Sequence, residues 1–430
     1  MAGFSFTATA GTCDGADLAL VARTEGTPLY VYSRASIEQR YRALDAALAA
    51  HPHRIHYALK ANSTRGLLEI LRAAGAGVDA NSGGEIAVAR RAGFAPDDIV
   101  FTGVGKSAAE LEAAVAADLH AINAESAGEL ERIDRIAQAR GVRARVAVRV
   151  NPDIDAASHP GISTGGRGHK FGVPIDDARR VCREAAARPG LRLVGVHAHV
   201  GSQMTRLDPV RRTASTVAAF AGELRDDGVA LEHLDLGGGL GISYDGAPAV
   251  DVGDYGRTLL GAVAPTGLRL LVEPGRWIVG PTAVLLTTVV DVKPQSGDRH
   301  FVVVDAGMSE LMRPALYDAY HRIEPVAPRT GPYATCDVVG PLCETTDVVG
   351  LGRRMVLPEV GDLLAVLDAG AYGSAMASNY NRHPLPAEAL VDGGDWRLVR
   401  RRQTVDDLLA CEPAAPASEV LPRALPRVSR

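Results

Sequence analysis

The residues able to do chemistry stand in four short clusters. "HYALKAN" (56–62) closes an apolar run with Lys60, and "HVGS" (199–202) supplies His199 and Ser202. "LDLGGG" ends in Gly237, Gly238 and Gly239, and "EPGR" sets Glu273, Gly275 and Arg276 close together. An amine kept from water is a nucleophile toward carbonyl carbon. Glycines after a strand let backbone N–H groups approach an anion, and a guanidinium adds charge there. A buried carboxylate can hold a proton on a neighbouring ring nitrogen, and an imidazole can pack on a flat ring. Each cluster also has an ordinary reading. Lysines usually snorkel to solvent, glycines make tight turns, Glu273 and Arg276 could be an ion pair on a turn, and a lone histidine is usually a satisfied interior one.

The elements that must position these residues decide between the readings. Short β-rich runs alternate with helical patterns eight times: "IHYALKAN", "GVDANS", "IVFTG", "LHAINAES", "RARVAVRVN", "LRLVGVHAHVGS", "LEHLDLGGG" and "LRLLVEPGR" are each followed by a polar loop or helix. Such alternation marks an α/β fold; a doubly wound open sheet alternates the same way, and the count of eight units favours a parallel (β/α)8 TIM-like barrel. Active sites lie at the C-terminal strand ends of such barrels. Those ends hold Lys60 and Asn62, Asp79 and Ser82, Asn123, Asn151, His199 and Ser202, Gly237–Gly239, and Glu273 with Arg276. In the first run Ile55, Tyr57 and Leu59 alternate with the more polar His56, Ala58 and Lys60, which suits the second set to the barrel interior with Lys60 at its mouth.

From about residue 278 the pattern turns to strands joined by loops: "AVLLTTVVDV", "HFVVVDAG", "ATCDVVG", "DLLAVLDAG" and "WRLVRRRQT". The expected organisation is a barrel over residues 34–277 and a mainly antiparallel β domain over 278–430, completed by 1–33 through "TPLYVYS". The polar, glycine-rich stretch 151–174 has the length of a lid over a barrel mouth. The proline-rich tail from Glu412 is expected to be poorly ordered.

Together the clusters match the needs of pyridoxal 5'-phosphate. Lys60 offers an amine for its aldehyde. Gly237–Gly239, Ser202 and Arg276 suit its phosphate, Glu273 its ring nitrogen, and His199 its ring face. "HYALKAN", "HVGSQ", "LGGGLG", "EPGR", "CETTD" and "GAYGSAMASNYN" resemble the motifs of the barrel-type pyridoxal-phosphate amino-acid decarboxylases, and most of all the diaminopimelate decarboxylases, from about Thr27 to Pro384.

The resemblance implies a homodimer with shared active sites and a small amino-acid substrate, meso-2,6-diaminopimelate, decarboxylated to L-lysine in lysine biosynthesis. It implies Lys60, His199 and Cys343 as catalytic residues, with Cys343 of the other subunit returning a proton. It places Asp79, Gly237, Gly238, Gly239, Gly275 and Tyr372 around the cofactor with the residues already named. It gives Arg276, Arg313, Tyr317, Glu344 and Tyr372 to the substrate. The residue chemistry agrees for "GMSELMRPALYDAYH": a guanidinium at Arg313 matches a distal carboxylate, which simple diamine precursors lack. Two motifs depart from the family pattern: Thr345 and Thr346 replace smaller residues in "CETTD", and Ala198 replaces a bulkier one in "HAH". Alternatives are a decarboxylase of another amino acid or diamine precursor, and a non-catalytic cofactor-binding relative. A racemase would need a second base on the opposite ring face, which the sequence does not identify.

Composition narrows the classes further. The chain has 430 residues and a formal net charge of −5. It has no basic run to track a phosphate backbone, so nucleic acid is not expected as a partner. It has no apolar stretch of the roughly 20 residues that span a bilayer, and its N-terminus does not read as a secretion signal. Five cysteines without C-x-x-C spacing point away from zinc or a disulfide framework and toward a reducing cytoplasm.

Overall fold

The structure is a computed structural model that describes residues 3–156, 161, 164–166 and 168–413. The central part of the expected lid (157–160, 162, 163, 167) and most of the expected tail (414–430) lie outside the described residues.

Eight parallel strands close on themselves. They are His53–Ala58, Gly77–Ala80, Ile99–Phe101, Ala121–Ala124, Ala144–Asn151, Leu191–His197, His233–Asp235 and Arg269–Val272, each paired with the next and the last with the first. Helices between them pack outside. Their starts are fixed by side-chain caps: Ser82, Ser107 and Ser126 each accept a backbone N–H three residues on, from Glu85, Glu110 and Glu129, meeting donors a helix leaves orphaned. Alternate strand residues face those helices as a continuous apolar layer that includes Tyr57, Val78, Phe101, Val146 and Val196, all buried. Cutting Phe101 back to alanine in such a layer would cost about 3–5 kcal/mol.

The barrel interior holds a polar layer beside the small apolar cluster of Val100, Ala121 and Val194. His56, His120 and His233, at the first, fourth and seventh strands, stack with ring centroids 5.4 and 5.6 Å apart. Contact between strands so far apart in the barrel requires those rings to be inside it. Burial lowers the pKa of all three, His233 to about 3.

The first strand is shorter than its sequence pattern. It stops at Ala58, and Leu59–Ala61 form one 3-10 turn. Lys60 therefore rises from a turn at the barrel mouth rather than from a strand. Asn62 pins that turn: its amide donates to Tyr32 Oη (3.0 Å) and to the Gly370 carbonyl (3.2 Å).

The second sheet is built around the long strand Ala283–Pro294. It pairs antiparallel with Leu29–Ser33, with Arg299–Val304 and with Leu363–Val366. Tyr333–Val339 pairs parallel with Arg299–Val304 and antiparallel with Val348–Val356, while Ala387–Asp392 pairs parallel with Leu29–Ser33 and antiparallel with Asp395–Arg400. The fold is thus a (β/α)8 barrel joined to a mainly antiparallel sheet, and loops from that sheet reach the barrel mouth. No helix among the described residues is long and apolar enough to cross a membrane.

Candidate active site

Lys60, His199, Ser202, Glu273, Arg276, Arg313, Tyr317 and Tyr372 line one cavity of about 370 Å3 at the C-terminal strand ends. A larger cleft of about 620 Å3 lies in the β sheet domain beside Arg329, Tyr333 and Arg353, and no sequence-predicted residue lines it.

Lys60 keeps 35% of its side chain accessible, and its Nζ donates to Asp79 Oδ2 at 3.2 Å. Burial alone would depress its pKa, but Asp79, Tyr372 and Glu273 outweigh it and hold the ammonium above its usual range. The other Asp79 oxygen is buried without a partner.

Glu273 follows the eighth strand and is buried. Its Oε2 accepts from His197 Nε2 at 3.2 Å, and its Oε1 from Thr102 and Asn123, both at 3.4 Å. Burial would keep it protonated, but His197 and Lys60 override that and hold it ionised, far below the ordinary carboxylate range. His199 is neutral. Burial, then Lys60 and Arg149, push its pKa well down, and its Nδ1 accepts the Gly238 N–H at 3.2 Å.

The glycines form a cradle that side chains would fill. Gly237 and Gly239 have φ of +61° and +104°, and a Cβ on Gly238 would collide with the Glu273 carbonyl oxygen. A Cβ on Gly275 would press on Ala61, so this residue lets the "EPGR" turn pack beside the Lys60 turn. Arg276 Nη2 donates to Ser202 Oγ at 2.9 Å and Nη1 to Tyr244 Oη at 2.7 Å. Its guanidinium lies 4.8 Å from the Tyr372 ring centroid. Tyr372 holds φ +56°, and its N–H donates to the Ala61 carbonyl at 2.8 Å.

Arg313, at the start of the short helix Arg313–Tyr317, is buried and bonds His321 Nε2 at 2.6 Å. His321 Nδ1 donates to the Leu367 carbonyl at 2.7 Å, which leaves Nε2 as an acceptor. Burial and Arg313 lower the His321 pKa to about 3.

Cys343 and Glu344 do not line this cavity; both are exposed. Their loop is nonetheless fixed. Asp347 accepts the Met308 N–H at 2.6 Å and the Leu342 N–H at 2.7 Å. Gly307 and Gly340 lie so close to its carboxylate that neither could bear a Cβ.

Sequence reading missed four contributors. His197 shares a strand face with His199, so period two could have found it. Thr102 stands at the end of the third run, "IVFTG", so the strand-end rule could have found it too, whereas Tyr244 and His321 give no such signal, because loops bring them to Arg276 and Arg313.

The residues fit pyridoxal phosphate: an amine that opens onto the cavity, an ionised buried carboxylate, a neutral flat imidazole and a glycine cradle beside a guanidinium surround one space. The comparisons agree. Residues 34–280 match the family described as pyridoxal-dependent decarboxylase, pyridoxal binding domain. Diaminopimelate decarboxylase of Pseudomonas aeruginosa is 45% identical over 403 residues, covering 94% of this chain and 97% of its own. That of Neisseria meningitidis serogroup A is 43% identical over 400 residues, covering 93% and 98%. The crystal structure of the Helicobacter pylori diaminopimelate decarboxylase complexed with L-lysine superposes with a TM-score of 0.89 at 39% identity, covering 92% of this chain and 98% of that one. The chain belongs to the diaminopimelate decarboxylase family of pyridoxal-dependent decarboxylases.

Proposed function

We infer that the chain is a pyridoxal-phosphate-dependent carboxy-lyase that converts meso-2,6-diaminopimelate to L-lysine and carbon dioxide. The observation that carries this reading is a single cavity holding both the cofactor-type residues and Arg313 with Tyr317. When bound, the cofactor supplies an aldehyde carbon for the substrate amine and a protonated ring that accepts the electron pair left as carbon dioxide departs.

The chain's own residues do the rest. Lys60 would hold the cofactor at its aldehyde carbon. Glu273 stays ionised and keeps a proton on the ring nitrogen. His199, being neutral, packs on the ring face without competing for charge. Gly237–Gly239, Ser202 and Arg276 receive the phosphate, with Tyr372 beside them. Arg313 and Tyr317 take the distal carboxylate, and Asp79 steadies the Lys60 ammonium.

The proton donor and the distal-ammonium site are supplied by Cys343 and Glu344 of the partner subunit. Their exposure on a loop fixed by Asp347 supports this reading, because an ordered loop pointing to solvent is suited to entering a second chain's cavity. The functional unit is therefore a homodimer with shared sites. All five cysteines are unpaired, which suits a cytoplasmic enzyme.

Turnover of purified, cofactor-loaded protein tests the reading. With meso-diaminopimelate, ornithine, arginine and lysine offered separately, lysine and carbon dioxide should form from diaminopimelate alone. Carbon dioxide from another substrate instead would overturn the distal pocket, and none from any would favour a non-catalytic relative.

A further inference from the structure

We propose that His197 is a positioning residue of the reaction: its Nε2–H holds the Glu273 carboxylate turned toward the place of the cofactor's ring nitrogen. The proposal rests on the reading of Glu273 as the ring-nitrogen partner and goes beyond it.

The barrel's register sets the arrangement. His197 is the Cα partner of Asp235, and Asp235 is the partner of Leu271 on the eighth strand, two residues before Glu273. Period two then carries Glu273 onto the same inward face. One nitrogen of His197 and one oxygen each of Asp235 and Glu273 lie within 4.8 Å of one another, and all three residues are buried.

A carboxylate buried this deeply without strong donors would take up a proton and could no longer hold one on a ring nitrogen. Thr102 and Asn123 give Glu273 only long bonds, at 3.4 Å. The bond from His197, at 3.2 Å, is the shortest to its carboxylate. Asp235 is the second buried acid of the group. Burial first, then Glu273, push its pKa far up, so Asp235 stays neutral and adds no second negative charge. One Asp235 oxygen accepts the Gly237 N–H at 2.9 Å, which ties this group to the glycine cradle. Being neutral, Asp235 can also donate its proton to Glu273, while His197 Nδ1 has no partner. His197 lines the cavity wall and acts through Glu273.

The test uses holoenzyme loaded with cofactor labelled with nitrogen-15 in its ring. The nitrogen resonance reports directly whether the ring nitrogen is protonated, which loss of barrel packing alone would not change. His197→Leu keeps bulk but removes the donor, whereas His197→Gln keeps an N–H near Nε2. His197→Leu should move the resonance toward the unprotonated position and weaken cofactor binding about tenfold or more, the factor for one buried bond to a charged group. His197→Gln should restore most of both. If His197→Leu does not fold, His197→Asn, whose amide falls short of Glu273, takes its place with the same expectation.

Glu273→Gln separates the two readings. A resonance moved by Glu273→Gln but unmoved by the His197 variants overturns the proposal alone. One unmoved by Glu273→Gln overturns the reading of Glu273 itself. A stoichiometric divalent ion in the purified holoenzyme, lost on His197→Gln, would also overturn the proposal, because the three side chains would then be metal ligands.

Discussion

Lys60 and Asp79 face each other across 3.2 Å from the ends of neighbouring barrel strands, and the carboxylate holds the amine charged. An ammonium cannot attack an aldehyde, so Asp79 slows capture of the cofactor while placing the amine where capture must occur. Lys60→Ala should abolish covalent retention: after borohydride reduction, mass spectrometry should find the cofactor's mass on the native protein and none on the variant. Asp79→Asn removes the charge that raises the amine's pKa, so apo-protein capture near neutral pH should speed up. Retained adduct in Lys60→Ala would move the anchor elsewhere, and unchanged capture in Asp79→Asn would deny Asp79 its hold on the amine.

Arg313 is buried, bonded to a neutral histidine and without a carboxylate partner among the described residues, which leaves its charge to be met by a ligand. Arg313→Ala should raise KM for diaminopimelate about 10–100-fold, the range for lost charge-assisted bonds. The change should be far smaller for an analogue lacking the distal carboxylate. Equal losses for both would refute a distal-carboxylate role. Arg313→Lys should not rescue fully, because an ammonium lacks the planar fork.

Much of this site is legible in the sequence because barrel geometry is periodic. Each strand end is a fixed place in space, so Lys60, Asp79, His199, Gly237–Gly239 and Glu273 could be gathered by reading the ends of eight runs. His197 follows the same rule from its spacing to His199. Lys60 itself sits in a turn, because the 3-10 geometry at Leu59–Ala61 depends on tertiary bonds from Asn62 and Tyr372 that no local pattern encodes. His321 and Tyr244 reach Arg313 and Arg276 through loops, where chain spacing carries no period. Cys343 and Glu344 are read only through a motif, since nothing within one chain brings them to the cavity.

Burial, then the neighbouring Arg313, keep His321 neutral, and this makes stability fall in acid. Its folded pKa is about 3, whereas an unfolded histidine titrates near 6.5. Below about pH 6.5 the unfolded chain takes a proton that the native one refuses, so stability falls as pH falls. His321→Gln cannot titrate. The stability advantage of the native chain over this variant should therefore shrink by up to about 1.4 kcal/mol per pH unit between pH 6.5 and 5. Urea midpoints measured across that range check it, and a constant difference would show that His321 takes up its proton at the same pH in the folded and unfolded chain.

The proposed shared site is best tested by mixing two variants, Lys60→Ala and Cys343→Ala. Lys60→Ala lacks the anchor and Cys343→Ala lacks the proton donor, so each homodimer should be nearly inactive. If Cys343 serves the partner's cavity, a mixed dimer pairs the intact Lys60 of one chain with the intact Cys343 of the other, restoring one native site and leaving one doubly impaired. Random association makes half the dimers mixed, so coexpression in equal amounts should recover about a quarter of native activity, as expected when an isologous interface delivers a residue in trans. If Cys343 served its own chain, no combination would contain an intact site and activity would stay at the level of the single variants. The exposed position of Cys343 and its absence from the cavity lining favour recovery.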